Sequence, residues 1–267
     1  SDMRRDKQFG FVNILPSNSY YASLPGLGGM PGIIFSGPSS PSPDFGPGLP
    51  NVNNWVVSGD AYTSSHNLIP TSYAVLWETA QGSGITPTDI AGQCPGGITN
   101  CILNNSMPNG IYIANNSLTL TGSGYTFPGG KDFIILINGD LNINAEIHVP
   151  VGSTVVFSAS KDIWVSQSVG GTANSTSPNL EGLYSADGKF IADQVDICPG
   201  GTHKRLNIAG TVIANAGRQG GSFENRRNLC ANNSLFPSVS FIERPDFILN
   251  YPAFVQQTIR TWQEVAP

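Results

Sequence analysis

The second half of the chain alternates short apolar runs with small or polar breaks at a nearly constant interval. Residues 111–120, 134–143, 156–165 and 183–192 each contain an apolar run, a polar break and a short alternating stretch. Their anchor positions are Leu118, Leu141, Ile163 and Phe190, at steps of 23, 22 and 27 residues. A repeat of about 20–30 residues that holds only strands and turns is typical of a solenoid, in which each repeat forms one coil.

Equivalent positions in the four repeats hold similar residues. Because alternate residues of a strand share a face, we assign two of these columns to the interior. The first column holds Tyr112, Ile135, Phe157 and Tyr184, and the second holds Ala114, Ile137, Ala159 and Ala186. The opposite face is apolar early on, at Ile111, Ile113, Ile134 and Leu136. We expect the apolar N-terminal segment to cover that face.

Polar residues at the breaks predict the corners of the coils. Asn115, Asn138, Ser160 and Asp187 occupy equivalent positions, and Asn and Asp are favoured in tight turns. A later fragment, residues 206–215, repeats residues 141–149, whereas residues 193–205 and 217–236 are expected to form loops that leave the coil and return. An antiparallel meander with a turn about every 10 residues is the alternative.

These patterns predict an all-β protein built as a parallel, right-handed β-helix (solenoid) of about four to five coils. We divide the chain, as one structural unit, into an extended N-terminal segment (1–109), the β-helix (110–250) and a C-terminal tail or cap (251–267). Residues 71–81 have helical spacing, with Thr71 or Ser72 as a cap and Gly82 after the end, and predict a helix that caps the solenoid. Residues 16–53 are rich in Pro and Gly and predict a long irregular segment.

The composition excludes several classes of function. Charged residues make up only 12% of the chain, its net charge is −5, and its few Lys and Arg residues form no stripe, which argues against nucleic-acid binding. No apolar run approaches the roughly 18 residues of a membrane helix, so we expect no membrane insertion. The opening Ser1-Asp2-Met3 is typical of a cloning remnant, and we expect the targeting segment of an exported protein to be missing from this chain.

Four cysteines lie in loop-like sequence. The most economical pairing is Cys94 with Cys101 and Cys198 with Cys230. Four unpaired thiols are one alternative. Zinc binding by Cys198 and His203 is another, but the chain has no tight Cys-x-x-Cys pair. We therefore predict two disulfides, no metal site and no cofactor.

Several phrases resemble a known family. They are the tail at 241–267 (FIERPDFILNYPAFVQQTIRTWQEVAP), residues 179–190 (NLEGLYSADGKF), residues 206–230 (LNIAGTVIANAGRQGGSFENRRNLC) and the early phrases LPGLGGMPGIIF and ASLPG. Together they resemble uncharacterised β-helical surface proteins of candidate-phyla-radiation bacteria, and the repeats are loosely similar to pilus-associated PilX-like β-helices. The resemblance implies an exported, envelope-attached protein and brings no catalytic residues.

Candidate chemistry is sparse. Asp140 and Asp162 align one coil apart, which could create a carboxylate pair of the kind that glycosidic chemistry uses, or a pair of ordinary turn aspartates. Trp164 should point outward between Ile163 and Val165, either beneath a loop or free to stack on a sugar. The histidines His66 and His203 lie in loops without an evident ligand partner, and His148 is expected on a strand surface.

The sequence therefore favours a non-enzymatic, extracellular or cell-surface β-helix with a structural or adhesive role in the cell envelope. Its expected partner is a glycan or another envelope protein. The alternatives are a carbohydrate-active enzyme, a lyase or hydrolase that uses Asp140 and Asp162, and a passive glycan-binding module that uses Trp164. An enzyme requires converging carboxylates in an open groove, whereas a binding module requires an exposed aromatic side chain without such a pair.

Overall fold

The computed structural model describes the core of the chain and three short N-terminal strands. It covers residues 22–23, 34–36, 56–58, 72–82, 84–104, 106–195, 198, 203–214, 221–250 and 252. The described strands are β1 (Ala22–Ser23), β2 (Ile34–Ser36), β3 (Val56–Ser58), β4 (Thr88–Asp89), β5 (Gly110–Ala114), β6 (Leu118–Leu120), β7 (Tyr125–Thr126), β8 (Asp132–Ile137), β9 (Leu141–Ile143), β10 (Ile147–His148), β11 (Thr154–Ala159), β12 (Ile163–Val165), β13 (Leu180–Ala186), β14 (Phe190–Ala192), β15 (Leu206–Ile213), β16 (Phe223–Asn225) and β17 (Val239–Ile242). The α-helices are α1 (Ser72–Gly82) and α2 (Asp246–Leu249), and the 3-10 helices are Ile90–Gln93, Ile98–Asn100 and Cys230–Ser234.

The strands form a parallel β-solenoid of about five turns. One wall is a sheet in the order β1-β17-β15-β13-β11-β8-β5-β4, and a second wall is a sheet in the order β16-β14-β12-β9-β6. Strand β10 pairs with both β7 and the start of β13 and adds a third side to the early coils. Each of these pairings is parallel, so the fold class predicted from the repeats is confirmed and the antiparallel meander is excluded.

The predicted register is confirmed residue by residue. Tyr112 pairs with Ile135, Ile135 with Phe157, and Phe157 with Tyr184. In the second sheet, the anchors Leu118, Leu141, Ile163 and Phe190 form another interior column, which Phe223 continues. All of these side chains are buried. Aromatic rings stack between coils, with centroids 5.3 Å apart for Phe157 and Tyr184 and 5.7 Å apart for Phe190 and Phe223. Like residues therefore pack on like residues along the axis.

Two sequence assignments in the last coil were wrong. The sequence aligns residues 206–215 with 141–149, which contain β9 of the second sheet, but β15 extends the first sheet, where Leu180 pairs with Ile208. The predicted loop 217–236 contains β16, and Phe223 fills the interior column beside Phe190. Pairing in the sheets selects a different register from the one that the local sequence LNI suggested, because the longer strand buries Leu206, Ile208 and Ala209.

The apolar outer face is covered by α1. Leu76 and Ala80 are buried against Ile111, Ile113, Ile134, Leu136 and Val156. The helix starts near the fourth coil, where Ser185 Oγ donates to Ser72 Oγ at 2.8 Å. The helix predicted at residues 71–81 is present one residue later, as Ser72–Gly82. It was expected to cap an end of the solenoid, but it packs along the side of the coils. The N-terminal residues 16–53, expected to cover this face, lie largely outside the described residues.

Segments that do not belong to the repeated coils cover both ends of the stack. At the first coil, the Cys94–Cys101 disulfide lies in a buried segment whose Ile90, Leu103 and Met107 extend the core. Cys101 also pairs with β6, donating to Thr119 O and accepting from Thr121 N, both at 2.8 Å. At the last coil, β17 pairs with β15, and Phe247 of α2 is fully buried. The predicted tail or cap, residues 251–267, lies outside the described residues apart from residue 252.

Two stacked glycines make a sharp corner in the first sheet. Gly182 and Gly210 are paired and have φ values of 137° and 138°, a region that residues with a Cβ rarely adopt. A Cβ added to Gly210 would lie 1.9 Å from Gly182 O. Glycine is therefore required at this corner by both the backbone conformation and the close approach of adjacent coils.

We expect Gly210→Ala to lower the free energy of unfolding by on the order of 3 kcal/mol, because it combines an unfavourable φ with a backbone clash. The matched control is Gly129→Ala, where nothing lies within 4 Å of the added Cβ and φ is outside the unfavourable range. Chemical denaturation of both variants measures the difference. Equal stability of the two variants would contradict the assigned corner.

Candidate functional site

The outward column of the second sheet forms the candidate site, which we call the Trp164 face. It consists of Thr119, Asn142, Trp164, Ile191 and Glu224, one residue from each coil and all in register. Each lies between two inward residues of its strand, such as Ile163 and Val165 beside Trp164, because strand side chains alternate between faces. Asn142 Nδ2 donates to Thr119 Oγ1 at 3.4 Å. The first three members therefore give a row of neutral polar groups that ends at an indole.

Trp164 is half-buried and points outward, as predicted. The Arg226 guanidinium carbon lies 5.1 Å from the centroid of the indole, a cation–π distance. The ring is thus neither fully covered nor fully free. One side of the ring packs against an arginine from the last coil, and part of the side chain is exposed.

Four charged residues surround Ile191, which is itself buried. Lys189 and Asp193 flank it in its own coil, and Glu224 and Arg226 lie in the next. Glu224 forms ion pairs with Lys189 and Arg226, and Arg226 Nη1 lies 3.3 Å from Asp193 Oδ1. Burial raises the pKa of the Glu224 carboxyl, but hydrogen bonds from Lys189 and Arg226 outweigh it and hold the pKa below the usual value. This network fixes Arg226 over Trp164.

Asp140 and Asp162 lie in adjacent coils, but their carboxylates bind backbone. Asp140 Oδ1 accepts from Asp162 N at 3.1 Å, and Asp162 Oδ1 accepts from Lys189 N at 2.7 Å. Asp140 N in turn donates to Ser117 Oγ at 3.0 Å. Gly188 leaves room for this contact, since a Cβ there would lie 2.2 Å from Asp162 Oδ1. Each aspartate therefore caps the corner of the next coil.

A second polar cluster lies on the third side of the solenoid. It was not predicted from the sequence. His148 lies between two carboxylates, with Nε2 3.5 Å from Glu146 Oε2 and Nδ1 3.8 Å from Glu181 Oε2. Glu181 also accepts from Val149 N at 2.7 Å and from Arg244 at 3.1 Å. Arg244 donates to Val149 O and Asp246 as well. The cluster docks the C-terminal segment, and no motif in the sequence links residues 146 and 244.

The predicted disulfides are both present, as Cys94–Cys101 and Cys198–Cys230. The fold brings His203 to the second disulfide, a proximity that the loop sequence around it did not indicate. Potential ligand atoms of Cys198, His203 and Cys230 all lie within 4.8 Å of one another. Among the described residues, Cys198, His203 and Cys230 form a group of potential ligand side chains that lie close enough together to hold one metal ion.

Arg227 is a further residue that the sequence did not single out. It is completely buried next to the disulfide loops. Its guanidinium donates to Ser166 O at 2.6 Å, Val169 O at 2.8 Å and Lys204 O at 3.1 Å. Burial lowers the pKa of Arg227 to about 10. The side chain acts as a hub that binds loop carbonyls from two coils.

Comparison of the chain with protein-family models, with curated proteins and with solved structures finds no match in any of the three. The β-solenoid fold is therefore established by the structure itself. The resemblance to envelope proteins of candidate-phyla-radiation bacteria stays a prediction.

The ion network of the Trp164 face predicts a pH-dependent stability. Because the folded pKa of Glu224 lies below its ordinary 4.5, its contribution is present above that ordinary value and is lost as the pH falls through the folded pKa. We expect Glu224→Gln to be less stable than the wild type at pH 7, with the gap closing as the pH is lowered below about 4.

Urea denaturation across this pH range measures the gap. Arg226→Gln is the matched variant, because it removes a partner of the same carboxylate, and it should show a gap of the same sign and pH trend. A gap that stays constant with pH would show that Glu224 does not stabilise the fold through its charge.

Proposed function

We propose that this protein is a non-enzymatic, extracellular β-solenoid with an adhesive or structural role at the cell envelope, and that the Trp164 face contacts a glycan. The observation that carries the proposal is the in-register row of Thr119, Asn142 and Trp164, which are each partly exposed on the outer face of the second sheet. The scaffold presents these side chains at strand spacing, about 4.8 Å per coil.

The disulfides support export of the chain. Two disulfides in one domain indicate an oxidising, non-cytoplasmic environment. Among the described residues, no helix has the length and apolarity needed to cross a membrane. Attachment to the envelope is supported by the sequence resemblance alone.

The chemistry of the Trp164 face suits a neutral sugar. An indole offers an apolar surface for the C–H groups of a pyranose ring, while amide and hydroxyl groups bond to sugar hydroxyls. Asn142 and Thr119 supply these polar groups in the two preceding coils. Arg226 is already paired with Glu224 and Asp193, so the face does not offer an unpaired cation to an acidic ligand there.

The hydrogen bonding of Asp140 and Asp162 favours binding over catalysis. A glycosidase needs one carboxyl to give up a proton and another to act as a base or nucleophile. Here one oxygen of each carboxylate accepts a backbone N–H of the next coil. These contacts give the two aspartates a structural role at the corner.

The test is a panel of neutral and acidic polysaccharides, scored for retention of the protein and for release of new reducing or unsaturated ends. We expect retention without product. Trp164→Ala should weaken retention at least about tenfold, the scale of a lost aromatic anchor, and Trp164→Phe should keep part of it. Val151→Ala, at an exposed position in a corner loop, is the control that should leave retention unchanged.

Release of product would overturn the non-enzymatic proposal, and Asp140→Asn and Asp162→Asn would then be the variants to assay. If Trp164→Ala binds the polysaccharide as well as the wild type does, the Trp164 face is not the glycan-binding surface. Thermal denaturation of each variant separates a loss of binding from a loss of fold.

A further inference from the structure

We propose that Cys198, Cys230 and His203 form a redox-gated site: a disulfide when oxidised, and a binding site for a zinc-type divalent ion when reduced. The proposal is independent of the glycan-binding role. It rests on a cluster in which two sulfur atoms and an imidazole nitrogen lie within 4.8 Å of one another. Two thiolates and one imidazole are a ligand set that Zn²⁺ binds in tetrahedral geometry, with water in the fourth position.

The three residues come from two different insertions of the solenoid. Cys198 and His203 follow β14, and Cys230 follows β16, so the disulfide closes a separation of 32 residues. Coils that stack in register bring the two insertions to the same corner, since Phe190 pairs with Phe223. The cluster is thus a product of the stacking and not of a local sequence motif.

The roots of both insertions are held together without the disulfide. Gln194, before Cys198, accepts from Asn228 N at 2.8 Å and donates to Asn228 O at 3.1 Å. Arg227, before Cys230, donates to Lys204 O next to His203 at 3.1 Å. Opening the disulfide therefore leaves the two insertion roots bonded to each other, which keeps the candidate ligands in the same part of the fold.

A second layer of contacts orients two of the ligands. Gln194 Nε2 donates to His203 Nδ1 at 3.0 Å, a contact that is lost when the imidazole binds a metal, and Asn228 Oδ1 accepts from Cys230 N at 2.8 Å. Gln194 and Asn228 are the same pair that joins the two insertion roots. These contacts hold the imidazole and the Cys230 backbone in place before a metal binds.

Of the two disulfides, Cys198–Cys230 is the one that a reductant in solution can reach. Cys198 is exposed, and Cys230 is half-buried. Cys94 and Cys101 are 3% and 0% exposed, so a thiolate has to reach the cap interior to attack them. Thiol–disulfide exchange needs direct access of the attacking sulfur. A mild reductant should therefore open Cys198–Cys230 first.

The exchange balances with a dithiol as the reductant. The dithiol attacks one sulfur through its thiolate, the Cys198–Cys230 bond breaks, and the dithiol leaves as its own cyclic disulfide with Cys198 and Cys230 as thiols. Binding of Zn²⁺ then releases the two thiol protons, since the thiolate is the ligand. In the oxidised state the sulfurs are bonded to each other and supply no thiolate.

The experiment uses the full chain, reduced with a dithiol, freed of reductant under anaerobic conditions and titrated with Co²⁺ as a spectroscopic probe. Alkylation and mass spectrometry establish which cysteines are open. We expect one Co²⁺ per chain with thiolate-to-metal charge-transfer absorption, displaced by an equal amount of Zn²⁺. The oxidised chain should bind neither ion with that signature.

Three variants complete the test. His203→Ala should weaken the affinity for Co²⁺ at least about tenfold through loss of a ligand, whereas His148→Ala is the matched histidine control and should not. Cys198→Ser with Cys230→Ser should abolish the charge-transfer band. The Cys94→Ser and Cys101→Ser double variant should retain it.

Several results would overturn the proposal. These are less than half a Co²⁺ per reduced chain, equal affinity in His203→Ala and wild type, or a charge-transfer band that survives loss of Cys198 and Cys230. Loss of the far-ultraviolet β signal when only Cys198–Cys230 is opened would also overturn it, because the site requires a solenoid that stays folded after reduction.

Discussion

The structure depends on the parallel, in-register stacking of successive coils. Each strand hydrogen-bonds to the equivalent strand of the next coil, so every side chain lies above its counterpart one repeat earlier. The interior columns must then be apolar in every coil, as the buried column from Leu118 to Phe223 is. The same constraint arranges outward and corner residues in rows, and it creates both the Trp164 face and the ladder of corner aspartates.

Reactive and buried charged side chains that are not part of a stacked column lie where the chain leaves the coils. The insertions after β14 and β16 carry the Cys198–Cys230 disulfide, His203 and the buried Arg227. The stacked strands place the insertion roots side by side, and Arg227 donates to Val169 O, after β12, and to Lys204 O, in the insertion after β14. The scaffold thus separates the repetitive Trp164 face from the loop corner that carries the Cys198–Cys230 disulfide. The buried guanidinium of Arg227 is tolerated there because its two terminal nitrogens donate to three backbone carbonyls.

Much of the fold could be predicted from the sequence because stacked coils repeat their pattern. The spacing of Leu118, Leu141 and Ile163 gave the register, and both disulfides followed from cysteine count and placement. The fifth coil was assigned wrongly, since pairing of β15 with β13 outweighs the local similarity of its sequence to β9. The clusters around His148 and Arg227 join residues far apart in sequence, and their geometry is determined by tertiary contacts that no local pattern carries.

The most direct test of the stacked architecture is a solution NMR measurement on protein labelled at Phe and Tyr. The account predicts through-space cross-peaks between the rings of Phe157 and Tyr184, whose centroids are 5.3 Å apart, and between those of Phe190 and Phe223, at 5.7 Å. These residues are about one repeat apart in sequence and meet only if equivalent positions stack. Cross-peaks that instead join antiparallel neighbours, with both predicted pairs missing, would contradict the solenoid and the two sites built on it.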